Sequence, residues 1–252
     1  MVAPADHLIL NNEEFLRIMD VSIRQSEESG NLVTLGIKPT RPDTGYGYIQ
    51  FADSKEVVDP RVKKAKTFTE KPDLEIAESF LASGDFLWNA GIFAWKVTTI
   101  LSAFEKNQPE MYELFDQEKQ HFNTPEEAKA IQKIYPQCTN ISIDFGVMEK
   151  ADNVYVISAD FGWSDLGTYG SLYEHIQQDG NGNAVIGKNV MVYDSKNCMV
   201  SVPKDKLVVL QGLDGYIVVE SEGVLLVCRK QDEQQIRQFV NDVKLNKGDR
   251  FV

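Results

Sequence analysis

No run of about 18 consecutive apolar residues occurs in this chain, and no basic stretch followed by an apolar core stands near its start. Neither a membrane-spanning helix nor a secretory leader is therefore expected. Cysteine is scarce. Cys138, Cys198 and Cys228 stand far apart, with no CxxC and no Cys/His spacing, which points to a reducing, cytoplasmic compartment and away from a zinc site. His7, His121 and His175 are likewise too dispersed to suggest a metal centre. Positive charge is also short. The 26 Lys and Arg against 38 Asp and Glu leave a net charge of −12, which argues against nucleic acid as a partner, because phosphate backbones need basic surface. A phosphorylated ligand stays possible if its charge is met locally by Lys, Arg, a metal or a helix N-terminus.

The 252 residues, 42% of them hydrophobic, suffice for one large domain and a small one. Val2-Ala3-Pro4-Ala5-Asp6-His7 reads as the end of a buried strand that delivers a carboxylate to a sheet edge. In open α/β sheets ligands gather beyond the carboxyl ends of the strands. Asp6 there is either a Mg²⁺ ligand or simply the cap of a turn. A helix follows, with Asn12 as N-cap, Glu13 and Glu14 in the first turn, and Phe15, Ile18, Met19 and Ser22 on one face. Gly30 closes it. Residues 31–37 form a short apolar run of buried-strand type. Strand, helix and strand in that order predict a βαβ unit and a parallel sheet.

The loop Lys38–Ile49 carries Pro39, Pro42, Gly45 and Gly47 and is shaped rather than flexible. Gly45 lets a backbone N–H approach a ligand, and Tyr46 and Tyr48 offer flat walls with hydroxyl handles. An ordinary turn into a strand is the competing reading. A strand over 62–68 runs into Thr69-Glu70-Lys71-Pro72. There a carboxylate for sugar hydroxyls could stand beside an ammonium for a phosphate, or the two could be a solvated ion pair. Asp73 caps a helix that ends near Gly84. Within the apolar run Phe86–Trp95, Asn89 is the informative residue, since a buried amide costs free energy unless it is bonded. The small Ala90 and Gly91 beside it leave room for a substrate.

Residues 97–135 read as short amphipathic helices covering the sheet, without evident chemistry. Ser142–Glu149 predicts a short helix that carries Asp144, and residues 154–158 another strand. Phe161–Tyr169 places a second carboxylate, Asp165, in a turn bounded by glycines, with Trp163 and Tyr169 able to fix it by packing. After Asp179 the texture changes. Gly180-Asn181-Gly182-Asn183 reads as a linker-like break. Six short Val-rich runs follow, at 184–186, 190–193, 199–202, 207–210, 216–220 and 224–227, and then a closing helix over 233–243. The expected division is therefore 1–179 and 180–252, the latter an all-β module of solenoid-like turns.

Pro4-Ala5-Asp6-His7, Gly45-Tyr46-Gly47-Tyr48-Ile49, Phe68-Thr69-Glu70-Lys71-Pro72, Trp88-Asn89-Ala90-Gly91, Ser142-Ile143-Asp144 and Gly162-Trp163-Ser164-Asp165 together resemble the mannose-1-phosphate guanylyltransferases (GDP-mannose pyrophosphorylases), in that family's order. The resemblance runs from residue 2 to the end. It implies a Rossmann-like α/β nucleotidyltransferase domain, then a small β-helix-like domain and a C-terminal helix. It also implies GTP and mannose 1-phosphate as substrates, Mg²⁺ as cofactor, and a homodimer through the β module. Carried over residue by residue, Asp6 and Asp165 hold the metal, and Lys71 takes the sugar phosphate, these three being the catalytic set. Glu70 and the backbone at Gly45 take the mannose hydroxyls, with Tyr46, Asn89 and Asp144 completing the substrate site.

One departure stands out. The family's Gly-rich nucleotide loop and its following lysine have no counterpart here, so the first βαβ portion is expected to be missing. The chain then resembles a monofunctional short type that is N-terminally truncated and inactive alone, with exposed apolar sheet edges. A non-catalytic sugar-phosphate-binding or oligomerisation fragment, or another nucleotide-sugar pyrophosphorylase, is the alternative.

Overall fold

The computed structural model describes residues 1–55 and 57–251, and the chain divides into two compact units. The first holds residues 1–5 and 9–163, the second residues 6–8 and the chain from Ser164 onward. Two-residue strands, β1 (Leu8–Ile9) and β7 (Trp163–Ser164), stand where the chain passes between them.

The first unit opens on helix α1 (Asn12–Ser29). Its N-cap is Asn11, one residue earlier than expected, whose side chain accepts the Glu14 N–H at 3.1 Å. Glu13 and Glu14 face the positive end of the helix dipole. Gly30 ends the helix and returns its N–H to the Ser26 carbonyl. The buried face, Ile18, Met19 and Val21, packs on Val33, Leu35, Ala90, Ile92, Ile157 and Phe161. Each such side chain contributes roughly 1.5–3 kcal/mol on burial.

Strands β2 (Leu32–Ile37), β3 (Gly47–Ala52), β4 (Val62–Glu70), β5 (Phe86–Ala94) and β6 (Val154–Ala159) form one sheet in the order β2-β5-β3-β4-β6. Only β2 and β6 pair in parallel; the other pairings are antiparallel. Two expectations change here. Residues 1–6 are exposed and form no buried strand, touching the sheet through a single bridge from Val2 to Phe93. Pro4 has no N–H for a ladder, and the two alanines beside it have little apolar surface to bury. The expected open apolar edge is not found in this sheet: β4 pairs with β6 through Val62↔Ile157 and its neighbours, so the sheet closes on itself.

The β2–β5 register passes from Thr34↔Phe93 to Gly36↔Asn89. The longer path on β5 is a bulge at Ala90–Ile92, with Gly91 at φ 66°, a backbone region that side-chain-bearing residues rarely adopt. Helix α2 (Leu74–Ser83), capped by the Asp73 carboxylate on the Ile76 N–H at 2.9 Å, lies between β4 and β5 in the chain. The helical stretch is α3 (Val97–Asn107), α4 (Pro109–Gln117) and α5 (Glu127–Ile134). Ile100 of α3 packs against Leu32, Phe93, Val147 and Met148. The predicted short helix near 142–149 is a π-helical turn, Asp144–Met148, an arrangement common at functional sites.

The second unit begins earlier than the composition change after 179, because helix α6 (Tyr169–His175) packs its Tyr169, Leu172 and Tyr173 on Ala184, Met199 and Ile217 of the β module. Strands β8 (Ala184–Ile186), β10 (Met199–Ser201) and β12 (Tyr216–Ser221) stack in parallel, as do β9 (Asn189–Tyr193) and β11 (Leu207–Gln211). β13 (Val224–Arg229) closes the larger stack antiparallel to β12. Residues 179–183 are no loose linker. The Asp179 carboxylate accepts the N–H groups of Asn181 (2.9 Å) and Asn183 (2.8 Å), making a tight corner. Helix α7 (Ile236–Lys247) packs Ile236 and Phe239 on the core of the module.

Candidate functional site

The antiparallel β3–β4 ladder sets Gly47 opposite Glu70. A methyl group at Gly47 would lie 2.5 Å from Glu70 Oε2, so this position must be bare for the carboxylate to stand there. Glu70, Asn89 of β5 and Asp144 of the π-helical turn line one cavity with Gly47, Tyr48, Phe68, Thr69 and Phe145. Its free volume is about 10 Å³, room for a single water. Asn89 Nδ2 donates to Asp144 Oδ1 at 2.8 Å. Asn89 Oδ1 accepts the Gly91 N–H at 3.2 Å and the Thr34 hydroxyl at 3.3 Å. Burial raises the Asp144 pKa above the usual carboxylate value, the Asn89 bond opposes that rise, and the Glu70 charge adds to it. Lys71 Nζ sits 2.7 Å from Glu70 Oε1. The Lys71 backbone is left-handed, at φ 46°, and its N–H bonds the Tyr46 carbonyl at 3.2 Å. A non-glycine residue held there stores strain of order 1 kcal/mol, as functional loops often do.

Three expected residues, Glu70, Asn89 and Asp144, therefore meet, and Lys71 is paired to the first of them. Gly45 does not line the cavity, and its N–H is already donated to Asp43 Oδ1 at 2.7 Å. Gly47 takes the place expected of it. Tyr46 is buried, with its ring 5.0 Å from Trp88 and 5.4 Å from Trp163, and so braces the loop by packing. Sequence reasoning passed over Thr34, which looked like one more residue of an apolar strand, and the pair Arg41–Asp43. The Arg41 guanidinium lies 2.8 Å from Asp43 and 5.3 Å from the centre of the Trp88 ring. Two charges flanking Pro42 just ahead of Gly45 were the available signal for that pair.

Asp6 and Asp165 both belong to the second unit. Asp6 is exposed; Asp165 is half-buried and accepts the Gly167 N–H at 3.0 Å through Oδ1. Among the described residues no group of three or more His, Cys, Asp or Glu could hold a metal ion. Two carboxylates alone suit Mg²⁺ rather than a tightly caged metal, because Mg²⁺ keeps water and phosphate oxygens in its shell. A larger groove, about 500 Å³ and lined by Thr98, Ser102, Lys106 and Asp152 among others, contains none of the expected site residues. No helix among the described residues is long and apolar enough to cross a membrane.

Comparison with known proteins decides the family. Residues 1–182 match the nucleotidyl transferase family model. The chain belongs to the nucleotidyl transferase family. Residues 187–243 match the model of the mannose-phosphate isomerase/GMP-like β-helix domain, in line with the parallel stacks seen here. A mannose-1-phosphate guanylyltransferase of Escherichia coli is 33% identical over 252 residues, covering 100% of this chain and 53% of its own length. The xanthan biosynthesis protein XanB of Xanthomonas campestris pv. campestris is 34% identical over 245 residues, 97% of this chain and 50% of its own. The chain thus spans about half the length of the curated relatives it matches. Among solved structures, a mannose-1-phosphate geranyltransferase from Thermus thermophilus superposes with a TM-score of 0.80 at 29% identity, covering 96% of this chain and 69% of that one. This family member therefore has the expected pairing of a nucleotidyltransferase domain with a β-helix-like domain.

Proposed function

We propose that this chain provides the sugar-phosphate half of a mannose-1-phosphate guanylyltransferase, which transfers a nucleotidyl group from GTP to mannose 1-phosphate and releases pyrophosphate. The observation that carries the proposal is the convergence of Glu70, Asn89 and Asp144 on one cavity, with Lys71 paired to Glu70. A sugar phosphate seated there replaces that ion pair by two contacts: sugar hydroxyls donate hydrogen bonds to the Glu70 carboxylate, and the phosphate pairs with the Lys71 ammonium. Phe145 is 41% exposed and can swing outward to make room for a pyranose ring. Held in this way, a phosphate oxygen of the sugar attacks the α-phosphorus of GTP in line, and the bond to the bridging oxygen breaks to free pyrophosphate. Orientation and charge neutralisation supply the rate, and no protein nucleophile is needed.

Asp6 and Asp165 are the residues that would hold Mg²⁺, which when bound neutralises charge on the reacting phosphates. A homodimer through the β module is the proposed assembly. The exposed Met191, Tyr193, Leu207 and Val209 on β9 and β11 supply an apolar face for it, and light scattering on Val209→Glu checks it. The function is tested by titrating the chain with mannose 1-phosphate in a calorimeter and by following pyrophosphate release on addition of GTP and Mg²⁺. Saturable binding that Glu70→Ala weakens at least tenfold is expected. Absence of binding at millimolar sugar phosphate overturns the proposal.

A further inference from the structure

The loop that leads into β3 is fastened by a charge pair outside the cavity. Both oxygens of the Asp43 carboxylate are in use. Oδ2 accepts the Arg41 Nε–H at 3.0 Å and an Nη2–H at 2.8 Å, and Oδ1 accepts the Gly45 N–H at 2.7 Å. The last bond makes an Asx turn, which fixes the path of residues 43–45. The Asp43 carbonyl takes the hydroxyl of the fully buried Tyr48 at 2.9 Å. Only 11% of the Asp43 side chain is exposed, so water screens this pair less than it screens a surface ion pair.

Tyr46 follows the turn directly. Its ring packs on Trp88 and Trp163, and the Arg41 guanidinium lies 6.0 Å from its centre and 5.3 Å from that of Trp88. The Tyr46 carbonyl receives the Lys71 N–H at 3.2 Å. Lys71 needs such a hold. Its backbone is left-handed at φ 46°, and Pro72 after it favours extended backbone at this position. A residue kept in a strained conformation stays there only while its surroundings enforce it. If Tyr46 shifts, Lys71 relaxes toward extended backbone, and its ammonium swings from the place it now occupies, 2.7 Å from Glu70 Oε1.

We infer that Arg41 and Asp43 are positioning residues for Lys71: the pair sets the turn that places Tyr46, and Tyr46 holds the Lys71 backbone so that its ammonium stands where the sugar phosphate arrives. The inference rests on the function proposed above and extends it to two side chains that do not line the cavity. A change at either is felt at the phosphate and not at the sugar hydroxyls.

The test measures calorimetrically the affinities of mannose 1-phosphate and free mannose for the wild-type chain, Asp43→Ala, Asp43→Asn, Arg41→Ala and Arg41→Lys, each made also beside Lys71→Met. Asp43→Ala and Arg41→Ala are expected to weaken mannose 1-phosphate about fivefold or more and to leave free mannose unchanged. Arg41→Lys, which keeps a donor for the carboxylate, should recover part of the loss. Beside Lys71→Met the same changes should alter mannose 1-phosphate affinity less than about twofold, because the group they position is gone. If alanine at either site prevents folding, as circular dichroism would show, Asp43→Asn carries the comparison. It keeps an acceptor for the Gly45 N–H and removes the charge pair, and a loss of about threefold confined to the phosphate-bearing ligand is expected. Wild-type affinity in every variant, a loss shared equally by free mannose, or a loss that persists in full beside Lys71→Met overturns this inference alone. A wild-type chain that takes up no mannose 1-phosphate overturns the proposed function and this inference together.

Discussion

Replacing Asn183 by alanine should destabilise the β module more than any change to its exposed faces. The residue is 1% exposed, and its side chain ties three segments together. Nδ2 donates to the Ser195 carbonyl at 3.0 Å and to Asp179 Oδ2 at 3.0 Å, while Oδ1 accepts the Cys198 N–H at 3.1 Å. Ser195 and Cys198 are themselves buried, so alanine leaves a carbonyl and an N–H without partners in the interior. At roughly 1–3 kcal/mol for each of the two orphaned groups, the loss is about 2–6 kcal/mol, with the exposed Asp179 contributing little. Urea denaturation followed by far-UV circular dichroism measures it, and hydrogen exchange at the Cys198 amide localises it. A loss below about 1 kcal/mol, with that amide still protected, would refute the reasoning. Asn183→Asp provides the signed control. It sets a second carboxylate against Asp179, so it should be the worse variant at pH 7 and recover in part as acid protonates one of the two.

Three further outcomes are expected. The Arg61 guanidinium holds the Asp59 carboxyl down to about 2, so the pair stabilises the fold above the ordinary carboxylate pKa and loses that effect as pH falls toward 2. With both side chains partly exposed, Asp59→Asn should cost about 1 kcal/mol at neutral pH, and its melting curve should merge with that of the wild type in acid. Gly47→Ala places a methyl group 2.5 Å from Glu70 Oε2. Because that atom ends a flexible side chain, the fold should survive with a melting temperature within a few degrees while mannose 1-phosphate affinity drops about tenfold, as calorimetry would show. Lys71→Met should weaken mannose 1-phosphate at least tenfold and leave free mannose unaffected. Equal losses for the two ligands would remove Lys71 from the phosphate role.

Much of the molecule was legible because it is local. Helix α1 could be read from Asn and Glu at its start and Gly30 at its end, and α2 from Asp73 and Gly84. The Val-rich runs after 179 predicted six strands nearly at their observed bounds. Failures came where a local pattern met a competing long-range term. Val2–His7 looked like a strand by composition, yet Pro4 and the small residues beside it gave a neighbouring strand little to hold. Gly180–Asn183 looked like a linker, but side-chain bonds to Asp179 from within the corner made it rigid. The solenoid repeat stayed hidden because successive rungs, Ala184 to Met199 and Met199 to Ile217, differ in length.

The sequence by itself determined most of the element types, the family and most of the polar residues worth watching, since caps, periodicities and motifs are written in neighbouring residues. Tertiary structure alone decided which of them act together. Glu70, Asn89 and Asp144 come from a strand end, a mid-strand bulge and a π-helical turn; the pairing of β3 with both β4 and β5 sets the first two side by side, and the Asn89–Asp144 hydrogen bond joins the third. Gly47 rather than Gly45 faces that cavity because the β3–β4 register puts it opposite Glu70. Thr34 matters because the β2–β5 bulge lets its hydroxyl reach Asn89. Register and bulge are properties of strand pairs, set by packing and hydrogen bonding between distant segments, and no single stretch of sequence contains them.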